Sequence, residues 1–402
     1  MDEIEVPTYF LCPISLEIMK DPVTLSTGIT YDRESIEKWI FSGKNNTCPV
    51  TKQVLSDSPD LTPNHTLRRL IQSWCTLNAT YGIERIPTPK PPINKAQIVK
   101  LINDAKSPQL QMKCLRRLRS IASASEANKR CIEAAGAIEF LASIINNTTD
   151  TNTLSDEALS ILYYLQLSDT SVKSLVHRNG EFIESLTRVL RHGHYESRAY
   201  AVLLLKSILE VVDPMQIMSL SFEFFTELVQ VLRDQISYKA SKSTLQLLIN
   251  VCPWGRNKVK AVDAGAVTVL IDLLLDFNSE KRVCEMVLMV LDQLCQCADG
   301  RAELLKHGAG LAIVSKKILR VSKVASERAV KILHSISKFC AGTASVLQEM
   351  LQLGVVAKLC LVLQVDCGIK TKERVTEILK LHARVWKNSP CIPMNLLSSY
   401  PS

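Results

Sequence analysis

A chain of 402 residues with 47% hydrophobic content is too long for one ordinary compact core and too apolar for a largely disordered polymer. The net charge of +8 is uneven: residues 1–75 carry −3 and the remainder +11, which suits either an acidic partner or a solvated helical surface with a lysine surplus. No uninterrupted apolar run approaches the ~20 residues of a membrane span. The acidic start Met1-Asp2-Glu3-Ile4-Glu5 lacks the basic opening of a secretory signal. Thirteen cysteines scattered mostly through apolar segments read as buried thiols in a reducing compartment, so the expected location is the cytoplasm, with the nucleus as a second site.

In chain order, the first pattern is Phe10-Leu11-Cys12-Pro13-Ile14, and a second Cys-Pro follows at Cys48-Pro49-Val50. Residues 1–75 hold only Cys12, Cys48, Cys75 and His65 as soft metal ligands, and none of the cysteines forms the Cys-x-x-Cys pair typical of structural zinc. No metal and no other cofactor is expected. Val23-Thr24-Leu25 and Ile29-Thr30-Tyr31 are β-prone runs around Ser26-Thr27-Gly28, which predicts a hairpin. Asp32 is placed to N-cap a helix carrying Ile36, Trp39 and Ile40. A polar loop from Ser42 to Thr47 leads to the second Cys-Pro. Pro63-Asn64 then starts a helix whose Leu67, Leu70, Ile71 and Trp74 predict one apolar face. Without zinc, polar contacts must pin the loops, and Glu17, Asp21, Arg33 and Glu37 are the candidates.

Pro87-Thr88-Pro89-Lys90-Pro91-Pro92 cannot continue a helix and predicts a stiff extended linker. The organisation expected is a small α/β domain at 1–80, a Pro-rich linker at 81–95 and helical repeats at 96–402. Junctions at Gly136-Ala137-Ile138, Gly265-Ala266-Val267, Gly308-Ala309-Gly310 and Gly354-Val355-Val356, with Gly180 between the first two, recur at about 43 residues. That period is the one of armadillo or HEAT repeats. Each junction leads into a Leu-rich helix, as at Leu270, Leu273 and Leu274. A longer apolar helix recurs as well, as at Leu245, Leu248, Ile249 and Cys252, and only stacked neighbours can bury such faces. The fold class is therefore mainly α: an armadillo-type solenoid preceded by a small α/β domain.

Phe10, Cys12, Pro13, Ile14, Met19, Asp21-Pro22-Val23, Gly28, Thr30-Tyr31-Asp32-Arg33, Ile36, Trp39, Cys48-Pro49, Pro63-Asn64, Leu67 and Ile71 carry a resemblance along the whole chain. The chain resembles the plant U-box proteins with C-terminal armadillo repeats, in which a RING-like domain does without zinc. The resemblance implies a RING-type E3 ubiquitin ligase that binds a ubiquitin-charged E2 and orients its ubiquitin, with no covalent intermediate of its own. It places the E2 contact on Ile14, Leu16, Trp39 and Pro49, and a hydrogen-bonding linchpin at Lys52, where relatives often use arginine. It implies further that the repeats bind a protein substrate, that the protein restrains plant stress and immune signalling, and that U-box domains can form homodimers.

Blander readings stand beside these. Trp39 and Leu16 could simply close a small core, and Lys52 could be a solvated loop lysine. Cys12 has no adjacent base to make it a nucleophile, and His65 reads as a helix N-terminal residue. An import-receptor role needs an asparagine ladder, yet the corresponding positions are Ser120, Tyr164, Ser207, Asn250, Gln293 and Ser335. Lys113, Arg116, Arg117 and Arg119 lack interleaved aromatics, so no nucleic acid is expected. The leading alternative function is a non-enzymatic armadillo adaptor.

Overall fold

The computed structural model describes residues 5–43, 45–56, 60–84, 93–147, 153–176, 181–276, 280–339, 344–387, 389–390, 392–393 and 400–401. The Pro87–Pro92 segment and Gly180 lie outside the described residues. The described contacts separate into two units, residues 1–144 with 160–166 and residues 145–159 with 167–402.

The predicted hairpin is present. Strands β1 (Pro22–Thr24) and β2 (Thr30–Asp32) pair antiparallel with Val23 opposite Tyr31. Gly28 closes the turn at φ 79°, a left-handed conformation that glycine adopts without a Cβ clash. A third strand, β3 (Thr62–Pro63), joins the free side of β1, an addition that a two-residue segment does not announce in sequence. Helix α1 (Arg33–Glu37) buries Ile36 and runs into a π-helical turn, Lys38–Ser42, that carries Trp39 and Ile40. Asp32 does not cap α1 with its side chain. Its Oδ1 instead accepts the Lys20 and Asp21 amides at 2.8 and 2.9 Å, because the chain preceding β1 brings two unpaired donors within reach.

Helix α2 (His65–Leu77) is capped by Asn64, whose side chain accepts from the Leu67 amide at 3.0 Å, and His65 is its first residue. Its inward face differs from the predicted one. Ile71 and Cys75 are buried, with Leu67 and Trp74 packed beside them, whereas Leu70 is 53% exposed. The module is too small to cover a full helical stripe, so Cys75 takes the inner position one turn after Ile71.

The rest of the first unit begins with α3 (Lys95–Asp104), α4 (Pro108–Ala122) and α5 (Glu126–Ala134). The chain continues through α6 (Ala137–Asn147), α7 (Thr153–Leu165), α8 (Asp169–Val176), α9 (Glu181–His192), α10 (Tyr195–Leu209), α11 (Pro214–Met218) and α12 (Phe222–Asp234). It then forms α13 (Tyr238–Val251), α14 (Asn257–Asp263), α15 (Ala266–Leu275), α16 (Lys281–Leu294), α17 (Ala298–Lys306) and α18 (Gly310–Lys317). The last elements are α19 (Lys323–Phe339), α20 (Ala344–Gln352), α21 (Val355–Gln364), α22 (Ile369–Leu381) and α23 (Ala383–Trp386).

In the second unit α10, α13, α16, α19 and α22 stack in succession, each against the next. Leu245, Leu248, Cys252, Leu270 and Leu274 are buried between layers as the repeat period requires. Gly136, Gly265 and Gly354 take left-handed φ at their junctions, while Gly308 does not, and Ala309 and Gly310 lead into α18 there. Two of the six ladder positions tie adjacent layers together instead. Gln293 Nε2 donates to the Ile249 carbonyl at 3.1 Å and Ser335 Oγ to the Cys295 carbonyl at 2.8 Å. Donors committed to the neighbouring repeat are not free to read a peptide backbone. Lys113, Arg116, Arg117 and Arg119 lie on the exposed face of α4, opposite buried Cys114, Leu115 and Leu118. No single described helix is long and apolar enough to cross a membrane.

Candidate functional site

The two Cys-Pro loops are built on one plan. In the first, Leu11 and Ile18 form a bridge, the Cys12 amide donates to the Glu17 carbonyl at 2.9 Å, and the Leu16 amide donates to the Cys12 carbonyl at 2.8 Å. In the second, Thr47 and Val54 form the bridge, Cys48 donates to Gln53 at 2.8 Å, and Lys52 donates to Cys48 at 3.0 Å. Leu16 and Lys52 both turn left-handed, at φ 59° and 60°. Such a conformation costs a non-glycine residue about 1 kcal/mol, and at both positions a six-residue turn closed by two hydrogen bonds enforces it.

Hydrogen bonds hold the sulfurs where a metal would otherwise anchor the loops. Cys12 Sγ accepts from the Asp32 amide at 3.3 Å. Cys48 Sγ lies 3.0 Å from Tyr31 Oη and 3.5 Å from Thr27 Oγ1, and Tyr31 Oη in turn accepts from the Val50 amide at 3.4 Å. Burial opposes ionisation of Cys48, but the hydroxyls of Thr27, Thr51 and Tyr31 outweigh it and bring the thiol down to about 6. Burial, together with its bond to Cys48, pushes Tyr31 above the usual phenol range, as expected of the donor in that pair. Cys48 is nonetheless fully buried, so it is a structural acceptor rather than an accessible nucleophile. Among the described residues, no three His, Cys, Asp or Glu side chains gather as a metal site requires.

Of the four polar candidates, Asp21 and Arg33 form the central pair at 2.6 Å, with Arg68 3.7 Å from Asp21. Glu37 is 3.9 Å from Arg33. Glu17 contributes its backbone carbonyl to the first loop, and its side chain is exposed, so it is not one of the polar pins.

Around these loops lie the residues singled out from sequence. Leu16 is 74% exposed, so it does not close the core. Ile14 and Trp39 are half-buried against the shared core of Phe10, Met19, Tyr31, Ile36 and Ile71. Trp39 Nε1 donates to the Thr47 carbonyl at 2.8 Å, which ties the helical turn to the root of the second loop. Pro49 is half-exposed beside Val50, which is 51% exposed, and Lys52 is exposed at the tip. Val50 was not singled out from sequence. The signal was present: it follows Cys48-Pro49 as Ile14 follows Cys12-Pro13. Exposed Leu16 and Val50 and half-buried Ile14 and Trp39 thus leave apolar side chains at the surface of both loops and of the adjoining helical turn.

Comparison with known proteins agrees with this geometry. Residues 6–80 match the U-box domain, and residues 97–402 match the plant U-box protein ARM repeat region. The chain is 63% identical over its whole length to the E3 ubiquitin-protein ligase PUB23 of Arabidopsis thaliana, covering 98% of it. It is 60% identical over its whole length to PUB22, an E3 ubiquitin-protein ligase of the same plant, covering 99% of it. Among solved structures, an engineered protein superposes with a TM-score of 0.52 over 77% of this chain and 71% of its own, at 20% identity, which speaks to the fold alone. The chain therefore belongs to the plant U-box proteins with armadillo repeats: it is a RING-type E3 ubiquitin ligase, without a covalent ubiquitin intermediate, that engages an E2 through its U-box and proteins through its repeats.

Proposed function

We propose that the ubiquitin-charged E2 docks on Ile14, Leu16, Trp39 and Pro49, with Val50 completing the surface, and that Lys52 bridges E2 and ubiquitin. The observation that carries this reading is the shared geometry of the two loops. It projects Leu16 outward from one and Lys52 from the other at the same left-handed position. The apolar residues supply affinity. The ammonium, at the tip of the second loop, hydrogen-bonds after docking and helps hold the ubiquitin in a reactive pose. An ammonium is a point donor rather than a planar fork, so the bridge is weaker than an arginine would make it.

The test is discharge of a purified, ubiquitin-loaded E2 onto free lysine by the full-length protein. Ile14→Ala should suppress discharge by reducing E2 affinity, and unchanged affinity and rate would place the E2 elsewhere. We propose also that the armadillo region selects the substrate, that the protein works in the cytoplasm and the nucleus, that it restrains stress and immune signalling, and that it can form homodimers. The resemblance supports each of these. The basic excess of residues 76–402 favours substrates with an acidic surface.

A further inference from the structure

Glu37 is 1% exposed, although it lies on the short helix of a small module where charge is easily left in water. What covers it is α5: helix α1 packs against α5 within the first unit. The carboxylate meets the Ala127 backbone N–H in the first turn of α5, where the helix dipole favours an anion, and it senses the guanidinium groups of Arg33 and Arg130. Arg130 remains exposed at the rim. Beside it Lys38 of the U-box, ion-paired with Glu34 at 2.6 Å, also senses Glu126, which holds Lys129 at 2.6 Å. The chain entering the armadillo region is tied to the same helix, since Cys131 Sγ donates to the Ile93 carbonyl at 3.7 Å. Charges therefore alternate across the contact. Arg33, Glu37 and Lys38 stand on one side, with the α5 N-terminus, Glu126, Lys129 and Arg130 on the other.

The contact is specific but not tight. Glu37 Oε1 has no hydrogen-bond partner, and burial raises the carboxyl pKa in spite of both arginines. A buried charge whose desolvation exceeds its compensation selects one geometry without contributing much net stability.

We propose that the U-box helix has two working faces. Trp39, on the turn that follows α1, serves the E2 surface, while Glu37 docks the module on the N-terminal end of α5. The E2 platform is then held against the first armadillo helices rather than moving independently of them, and this docking limits which lysines a bound E2 can reach. Glu37 and Arg130 are positioning residues here, because neither belongs to the E2 surface.

The experiment uses the full-length protein. Arg130→Glu, at an exposed position, sets a second carboxylate against Glu37. Amides of α1 and of the first turn of α5 should then exchange about tenfold faster, while those of α2 and α13 stay as in the wild type. With E1, E2, ubiquitin and ATP, autoubiquitination mapped by mass spectrometry should spread to lysines that the wild type leaves unmodified, at an unchanged rate of discharge onto free lysine. Adding Glu37→Gln removes one member of the repelling pair and should restore both the protection and the lysine pattern. Wild-type exchange and wild-type sites in Arg130→Glu would overturn the proposal. So would an opening that Glu37→Gln fails to reverse, since the effect would then not run through this pair.

Discussion

In the first Cys-Pro loop the left-handed tip position holds Leu16, and in the second it holds Lys52. The hydrogen bonds closing the two turns match to within 0.2 Å, each cysteine is fully buried, and both tips face solvent. The loops differ in what fastens them. Among the described residues, the Asp32 backbone amide donates to Cys12, whereas Cys48 has the hydroxyls of Thr27, Thr51 and Tyr31 in addition to a backbone amide, with Tyr31 linking its sulfur to the Val50 amide. Trp39 braces the second loop as well, through Thr47. The lesson is that a duplicated backbone need not carry duplicated work. On the proposed reading, the loop with the apolar tip serves docking and the more heavily braced loop places Lys52 to bridge E2 and ubiquitin.

The largest expected effect breaks the docking side. Ile14→Ala should lower ubiquitin discharge at least tenfold, since an interface anchor is worth about 2 kcal/mol, while helical circular dichroism is unchanged. Trp39→Ala should do the same, and in addition loosen the second loop, because the Thr47 carbonyl loses its donor. Amide exchange at Thr47–Val54 separates those two consequences.

Next comes the brace. Tyr31→Phe removes the hydroxyl shared by Cys48 and Val50 and should cost about 1–2 kcal/mol in denaturant unfolding. Amide exchange should rise at Val50 and Lys52 and stay unchanged at Leu16. Equal loosening of both loops would show that the bracing is not loop-specific.

Lys52 tests the other half of the comparison. Lys52→Ala should slow single-turnover discharge several-fold with affinity for uncharged E2 nearly intact. Lys52→Arg should match or exceed the wild type, because a guanidinium donates to two acceptors at once. Equal rates for all three proteins would reduce Lys52 to a solvated lysine.

Smaller still is the strain. Leu16→Gly and Lys52→Gly should each change stability by less than about 1 kcal/mol, in the stabilising direction, as the left-handed cost is relieved. Only Leu16→Gly should weaken E2 binding. The smallest effect is none at all: with sulfurs committed to hydrogen bonds, chelators should leave both fold and discharge unchanged, and elemental analysis should find no stoichiometric zinc.

Much of this protein was decided by its amino-acid sequence alone. Short-range physics sets the hairpin around Gly28, the Asn64 cap, the 43-residue period and the absence of zinc-type cysteine pairs, since each depends on residues a few positions apart or on a repeated pattern. The two loops were legible too, because each is marked by its Cys-Pro pair, whereas the docking residues were named only through the family resemblance. Tertiary structure decided what side chains do with leftover donors and acceptors. Asp32 abandons its cap for the Lys20 and Asp21 amides, Cys75 displaces Leu70 from the inner face of α2, and Gln293 and Ser335 spend their donors on the preceding repeat. Glu37 shows the divide most clearly. From sequence it was one of four charges available to pin a loop. In the folded chain a helix ninety residues further on covers it, and only that long-range packing turns a surface carboxylate into a buried one.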